Sequence, residues 1–315
     1  YDCMKTNFID SMLLPQHIGN ILFQSGKFDE AQSYYKQLIR HLDELVYEPE
    51  ETDEKEIHQP TSYSENKKSG VLGFIKDLIV NRNESNYFEH NKTYYTFICY
   101  YALGRITNEK GLFDQSIIYY NAVLNQSLPS YLTHEQPKNS TTHVLRALCR
   151  LGLGVTYERN GMFQRAFTSY TKAMEMFEQA HDGLIDCAVQ QSYLTYIQKA
   201  QCLIGLGNLR LIEQQHERAR LYYKKALSLF DKYLPAGHPN QSLTRQKIAN
   251  IIQIYECKPA FALQDYEDCL ENYLRALPSD HIDIARVYTD MARTYEQMPN
   301  ELQSALEYAK KARDI

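Results

Sequence analysis

The sequence predicts an all-α protein built of stacked antiparallel helix pairs, and three observations predict it. The first is composition. A chain of 315 residues with only 13 glycines and 10 prolines is poor in the turn formers of an all-β protein, while 43% apolar and 23% charged residues suffice for a core. The second is self-similarity at a fixed offset. Leu234-Pro235 followed by His238 recurs as Leu277-Pro278 followed by His281, and the same shift of 43 residues carries Ala249 to Ala292, Ala262 to Ala305 and Cys269 to Ala312. A period of that length marks a repeat architecture. The third is a recurring pattern of small and aromatic residues. Leu153-Gly154, Tyr157, Gly161, Ala166, Tyr170 and Ala173 form its best copy. Small residues at helical spacing let two helices approach, Leu and Tyr around them fill the seam, and the second glycine permits a left-handed turn between the helices. Such a pair cannot bury its apolar face alone, so it must stack on neighbours.

Taken in chain order, residues 12–42 carry a first repeat, with Ile18-Gly19, Leu22, Gly26, Ala31, Tyr35 and Leu38. Residues 43–70 are an acidic insertion. Eight of the fourteen residues from Asp43 to Glu56 are acidic and only Lys55 opposes them, so like-charge repulsion predicts disorder. Residues 71–90 are expected to hold a short helical segment, amphipathic from Val71 to Val80. Residues 91–315 hold five further repeats, starting near 97, 147, 200, 242 and 285. Leu103-Gly104, Gly111, Ser116 and Tyr120 mark one of them, and Leu206-Gly207, Ala219, Tyr223 and Ala226 another. The first helix of several is expected to begin upstream, where apolar periodicity runs back to about 86, 140 and 183. Lys310, Lys311 and Arg313 suit a helix C-terminus. No polar capping helix follows them, so the chain reads as a piece cut from a longer one.

This pattern resembles the tetratricopeptide repeat, and its length of about 43 residues, with the His238-Pro239 joint, is similar to the longer repeats of kinesin light chains. The resemblance implies a right-handed superhelix of about six helix pairs. The chain departs from it in having no Trp.

Composition also limits function. With 34 Lys and Arg against 39 Asp and Glu, the net charge is −5, which leaves no basic excess for a nucleic acid or an anionic membrane surface. No apolar run is long enough to span a bilayer. The seven cysteines are odd in number and lack any Cys-x-x-Cys spacing, which suits small buried apolar residues in a reducing cytoplasm. No catalytic constellation, phosphate-binding glycine loop or metal-ligand spacing is present, so no enzyme activity, cofactor or metal is expected. His238 and His281 recur at equivalent joints and are expected simply to start helices.

A solenoid offers instead a groove lined by the first helix of each pair. The resemblance implies that positions 2, 5, 9, 12 and 13 of each repeat face it. Carried onto this chain, it assigns Asn20, Tyr101, Arg105, Arg159, Asn208, Gln246, Asn250 and Arg293 to a peptide-binding groove. Asparagine suits such a groove because its amide both donates to and accepts from an extended backbone, and the arginines could pair with acidic ligand side chains. The ninth position also gives Val155, and the twelfth gives Glu158. The expected function is a non-catalytic protein–protein interaction scaffold. Its partner would be a protein or peptide of acidic character, and the oligomeric state is left open. Two alternatives share the fold: a recruitment or regulatory region of a larger enzyme, for example downstream of a mono-ADP-ribosyltransferase-like domain, and a kinesin-light-chain-like cargo adaptor. The chaperone-tail mode of the family is not expected, since no repeat carries Lys at its fifth position.

Overall fold

The computed structural model describes residues 19, 21–44, 85–125, 141–182 and 189–315, and every regular element among them is a helix. The chain divides into two compact units, residues 1–156 and 157–315. In the first, residues 19 and 21–24 are helical and precede α1 (Phe28–Glu44), followed by α2 (Ser85–Glu109), α3 (Phe113–Asn125) and most of α4 (Thr141–Arg159). Helix α2 packs against both α1 and α3. The second unit holds α5 (Phe163–Asp182), α6 (Val189–Ile212), α7 (His216–Tyr233), α8 (Pro239–Ile254), α9 (Pro259–Ala276), α10 (Ile282–Glu296) and α11 (Leu302–Arg313). There each helix from α5 onward packs on the next. The all-α class is therefore as expected, in consecutive packed helix pairs. Residues 45–70 of the acidic insertion and 71–84 of the short helical segment lie outside the described residues, while Asp43 and Glu44 close α1.

The pairs are hinged by one device. Gly26, Gly111 and Gly161 take φ of 73°, 73° and 74°. At Gly26 the backbone N–H donates to Phe23 O (3.1 Å) and the next N–H, of Lys27, reaches back to Leu22 O (2.9 Å). These two bonds satisfy carbonyls that the helix end would otherwise leave open. Gly111 and Gly161 repeat the arrangement. In the next three pairs Gln214, Cys257 and Asn300 hold the left-handed position, at φ of 59°, 54° and 67°.

Two helix starts share a second device. His238 and His281 are N-caps whose Nδ1 atoms accept from the backbone N–H groups of Asn240 (3.1 Å) and Asp283 (3.2 Å). At α8 this becomes a reciprocal box, because the Gln241 side chain accepts from the His238 N–H at 3.1 Å. The repeated histidines thus start helices, as their place beside Pro239 and before Asp283 suggested.

The seam between paired helices is a tyrosine ring laid on a glycine. Tyr35, Tyr120, Tyr170, Tyr223 and Tyr266 are 0–2% exposed. Within pairs, a Cβ placed on Gly104 would lie 2.6 Å from the Tyr120 ring and on Gly207 2.5 Å from Tyr223; between successive pairs, one on Gly205 would lie 2.3 Å from Tyr170. Tyr266 shares its core with Ala249, itself fully buried. Cys99, Cys149, Cys202 and Cys269 are buried in the same core, and burial raises their thiol pKa values, that of Cys269 to about 12. They are inert packing groups at neutral pH.

Candidate functional site

The seam tyrosines also build the polar face of the second unit. Each ring is buried, but its hydroxyl reaches the edge of the first helix of a pair and orders a side chain there. Tyr170 Oη donates to Glu158 Oε2 (2.6 Å), and Glu158 Oε1 accepts from Asn208 Nδ2 (2.8 Å). Asn208 Oδ1 in turn accepts from Tyr223 Oη (2.8 Å) and from Lys247 Nζ (3.2 Å). Glu158, Asn208 and Lys247 belong to α4, α6 and α8, so one chain of bonds crosses three successive first helices.

A second network lies between α8 and α10. Tyr266 Oη donates to Gln253 Oε1 (3.0 Å). The Asn250 amide nitrogen sits among acceptors: Tyr266 Oη at 2.5 Å, the Gln246 carbonyl oxygen at 3.1 Å and Asp290 Oδ2 at 3.3 Å. Gln246 Nε2 donates to the same Asp290 oxygen at 2.7 Å. Burial raises the Asp290 pKa, and the amides of Gln246 and Asn250 with the Arg293 and Arg286 charges oppose that rise.

This raised pKa has a stability consequence. A carboxyl whose pKa is higher in the folded than in the unfolded chain stabilises the fold most below the unfolded value. It loses that contribution as pH rises through the folded value. Asp290→Asn removes the ionisation while keeping an oxygen to accept from Gln246. Its urea midpoint, compared with the parent's from about pH 4 to about pH 7, is expected to gain on the parent as pH rises. A gap that does not change with pH would mean that the fold does not feel this charge.

Between the two helices lies a cleft of about 670 Å³. Gln246, Lys247 and Asn250 line it from α8, and Arg286, Thr289, Asp290 and Arg293 from α10. Three cations face one carboxylate. Arg286 Nη1 is paired with Asp283 (2.7 Å), and Arg293 Nη1 stands 3.9 Å from Asp290 Oδ1 with its side chain 67% exposed. Lys247 is half-buried. Burial lowers its pKa, Glu158 and Asp290 act to raise it and Arg286 to lower it.

The structure thus distributes the sequence-assigned residues unevenly. Gln246, Asn250 and Arg293 meet in one cleft, and Asn208 stands in the adjoining network. Arg159 is exposed near the end of α4, one residue past Glu158. In the first unit Tyr101 and Arg105 are neighbours on α2. The Arg105 guanidinium lies 4.6 Å from the Phe23 ring centroid and 6.0 Å from that of Tyr101. Asn20 lies outside the described residues. One expectation needs refinement. Asn208 and Asn250 do not stand ready with vacant amides, because Tyr223 and Tyr266 hold them within the fold's own bonding. Lys247 and Asp290 were missed, since both are sixth residues of their repeats and the positions assigned to the groove skip the sixth; Arg286 stands at the second position, which was among those expected to face the groove but was not carried onto this chain.

The description that matches by family model is the tetratricopeptide repeat, over residues 16–40 and 195–233. No curated protein matches the chain in sequence. Among solved structures, BtubC (BKLC) from P. vanneervenii is similar at 14% identity with a TM-score of 0.54, over 72% of this chain and 82% of that one. The apo form of RapI is similar at 12% identity and a TM-score of 0.52, over 95% of this chain and 75% of that one. The Rap conjugation gene regulator of the plasmid pLS20, solved with the Phr* peptide, gives 12% identity and a TM-score of 0.51 over 96% and 73%. At these identities the likeness is one of fold.

Proposed function

The chain is a tetratricopeptide-repeat protein, and we propose that it is a non-catalytic interaction scaffold that holds a peptide or helix of a partner protein on its first helices. The observation that carries this reading is the polar cleft between α8 and α10, which gathers three of the residues assigned from sequence. Its floor is fixed by buried hydrogen bonds from Tyr266, Gln246 and Asn250. A surface held in this way loses little entropy when a ligand docks, which is what a peptide site needs. The Rap regulator, similar in fold, was solved with a peptide, and that supports a peptide as the ligand class. The eight sequence-assigned residues, Asn20, Tyr101, Arg105, Arg159, Asn208, Gln246, Asn250 and Arg293, are proposed to serve this role unequally. Arg105, Arg159 and Arg293 reach solvent and would touch ligand, whereas Asn208 and Asn250 shape the surface. Among the described residues no helix is long and apolar enough to cross a membrane. We read the chain as cytoplasmic and its partner as acidic.

The test is selection of a displayed random-peptide library on the protein, followed by affinity measurement on the selected peptides. Arg286→Ala with Arg293→Ala is expected to weaken binding roughly tenfold or more, with helix content unchanged by circular dichroism. Leu221→Ser, at an exposed position on α7, is expected to leave binding intact. Equal affinity for parent and double variant would remove the site from this cleft.

A further inference from the structure

We propose that Glu158 and Lys247 form one ion pair bridged by the Asn208 amide, and that this bridge ties the first helices of three successive repeats into a single conformational unit. Helix α8 then opens with the loss of a charge on α4, although the two charges never touch. The tie belongs to the fold and is independent of what the groove binds.

Glu158 stands near the end of α4, Asn208 on α6 and Lys247 on α8, and all three lie in the second unit. A primary amide has a donor end and an acceptor end. The donor end of Asn208, Nδ2, lies 2.8 Å from Glu158 Oε1, and the acceptor end, Oδ1, lies 3.2 Å from Lys247 Nζ. Turning the amide over would set its oxygen against the carboxylate and its NH₂ against the ammonium, replacing two attractive contacts by two repulsive ones. The two charges therefore fix the amide, and the amide carries their attraction across α6. The seam hydroxyls agree with this direction. Tyr170 Oη donates to Glu158 Oε2 at 2.6 Å, and Tyr223 Oη donates to Asn208 Oδ1 at 2.8 Å. Both rings are buried, so the bridge is anchored in the core, and each bond in such a chain polarises the next.

Burial gives the bridge its weight. Glu158, Asn208 and Lys247 are all half-buried, and a charge drawn partly out of water destabilises the fold unless another compensates it. Burial lowers the Lys247 pKa, and Glu158 leads the charges that oppose the fall. The carboxylate on α4 is thus felt at the ammonium on α8. Stacked repeats ordinarily interact with their nearest neighbours alone. This chain of bonds reaches from one repeat to the next but one, so removing either charge leaves the other uncompensated on a helix two repeats away.

Exchanging the charges tests the bridge. Glu158→Lys and Lys247→Glu are made singly and together in the full chain, and amide hydrogen exchange of α8 is followed by mass spectrometry. Either single reversal sets two like charges on one amide and is expected to speed exchange in α8 at least about tenfold. In the double variant Asn208 can turn over, and the Tyr170 and Tyr223 hydroxyls can accept where they had donated. Exchange in α8 is then expected to return to within about threefold of the parent, and Asn208→Leu added to the double variant is expected to remove that recovery. Where a reversal does not fold, Glu158→Gln and Lys247→Met take away each charge at similar shape, and the pair together is expected to speed exchange no more than the stronger single. Exchange in α8 that ignores Glu158, or effects of the two positions that simply multiply, would overturn the bridge. So would a recovery that persists without the Asn208 amide.

Discussion

Truncating Tyr223 to alanine is expected to destabilise the protein by about 3–5 kcal/mol, the range for removing a fully buried aromatic ring. The ring has no solvent exposure and packs with Ala219, Ile248 and Ile251, so it joins α7 to α8. Its other side rests on Gly207 of α6, where no side chain exists to fill the space left behind. The cavity would therefore persist instead of collapsing. Tyr223→Phe separates packing from hydrogen bonding. It keeps the ring and removes one bond to Asn208 Oδ1, which retains Lys247 as a donor, so a loss of only about 1 kcal/mol is expected. Urea unfolding read by circular dichroism and by tyrosine fluorescence checks both values. Two probes are needed, because stacked helix pairs can melt in parts. A Tyr223→Ala loss near 1 kcal/mol would show that the ring is not the wedge between these helices.

That wedge was legible in the sequence, and the reason is geometric. A tyrosine four residues after a small residue in the second helix, with Gly in the first, is a pattern only two closely packed helices require. It placed Tyr120, Tyr170 and Tyr223 in the seam, where all three are buried. The glycine turns were equally legible at Gly26, Gly111 and Gly161, because a positive φ favours glycine. The same device was hidden where Gln214 and Cys257 carry the turn, since neither residue type announces it. The cleft was half legible. Repeat position brought Gln246, Asn250 and Arg293 forward, but whether an amide is open or occupied depends on the reach of a partner on another helix. The Tyr266 hydroxyl meets the Asn250 amide 16 residues away in sequence, and Gln246 meets Asp290 across 44. Lys247 was invisible for the same reason. Nothing in its neighbours along the chain says that, among the described residues, it forms no ion pair.

The seam makes a second strong prediction, in the first unit, where one ring is caught between two glycines. A Cβ on Gly104 of α2 would stand 2.6 Å from the Tyr120 ring, and a Cβ on Gly152 of α4 would stand 2.4 Å from it. Gly152→Ala should by propensity stabilise its helix by about 1 kcal/mol. Here it is expected to destabilise the protein by about 3 kcal/mol, the upper end for overpacking, because the ring cannot retreat. Toward α2, Gly104 already marks closest approach. Tyr120→Leu decides the cause. With the ring replaced by a shorter side chain, the added methyl group meets no aromatic edge, and Gly152→Ala in that background is expected to be neutral or to recover its helix-propensity gain. The double-mutant cycle should then give a coupling of more than about 2 kcal/mol between positions 120 and 152. A coupling below about 0.5 kcal/mol would mean that the two helices separate freely enough to admit a methyl group. The glycine in the helix would then owe its place to something other than the ring that faces it.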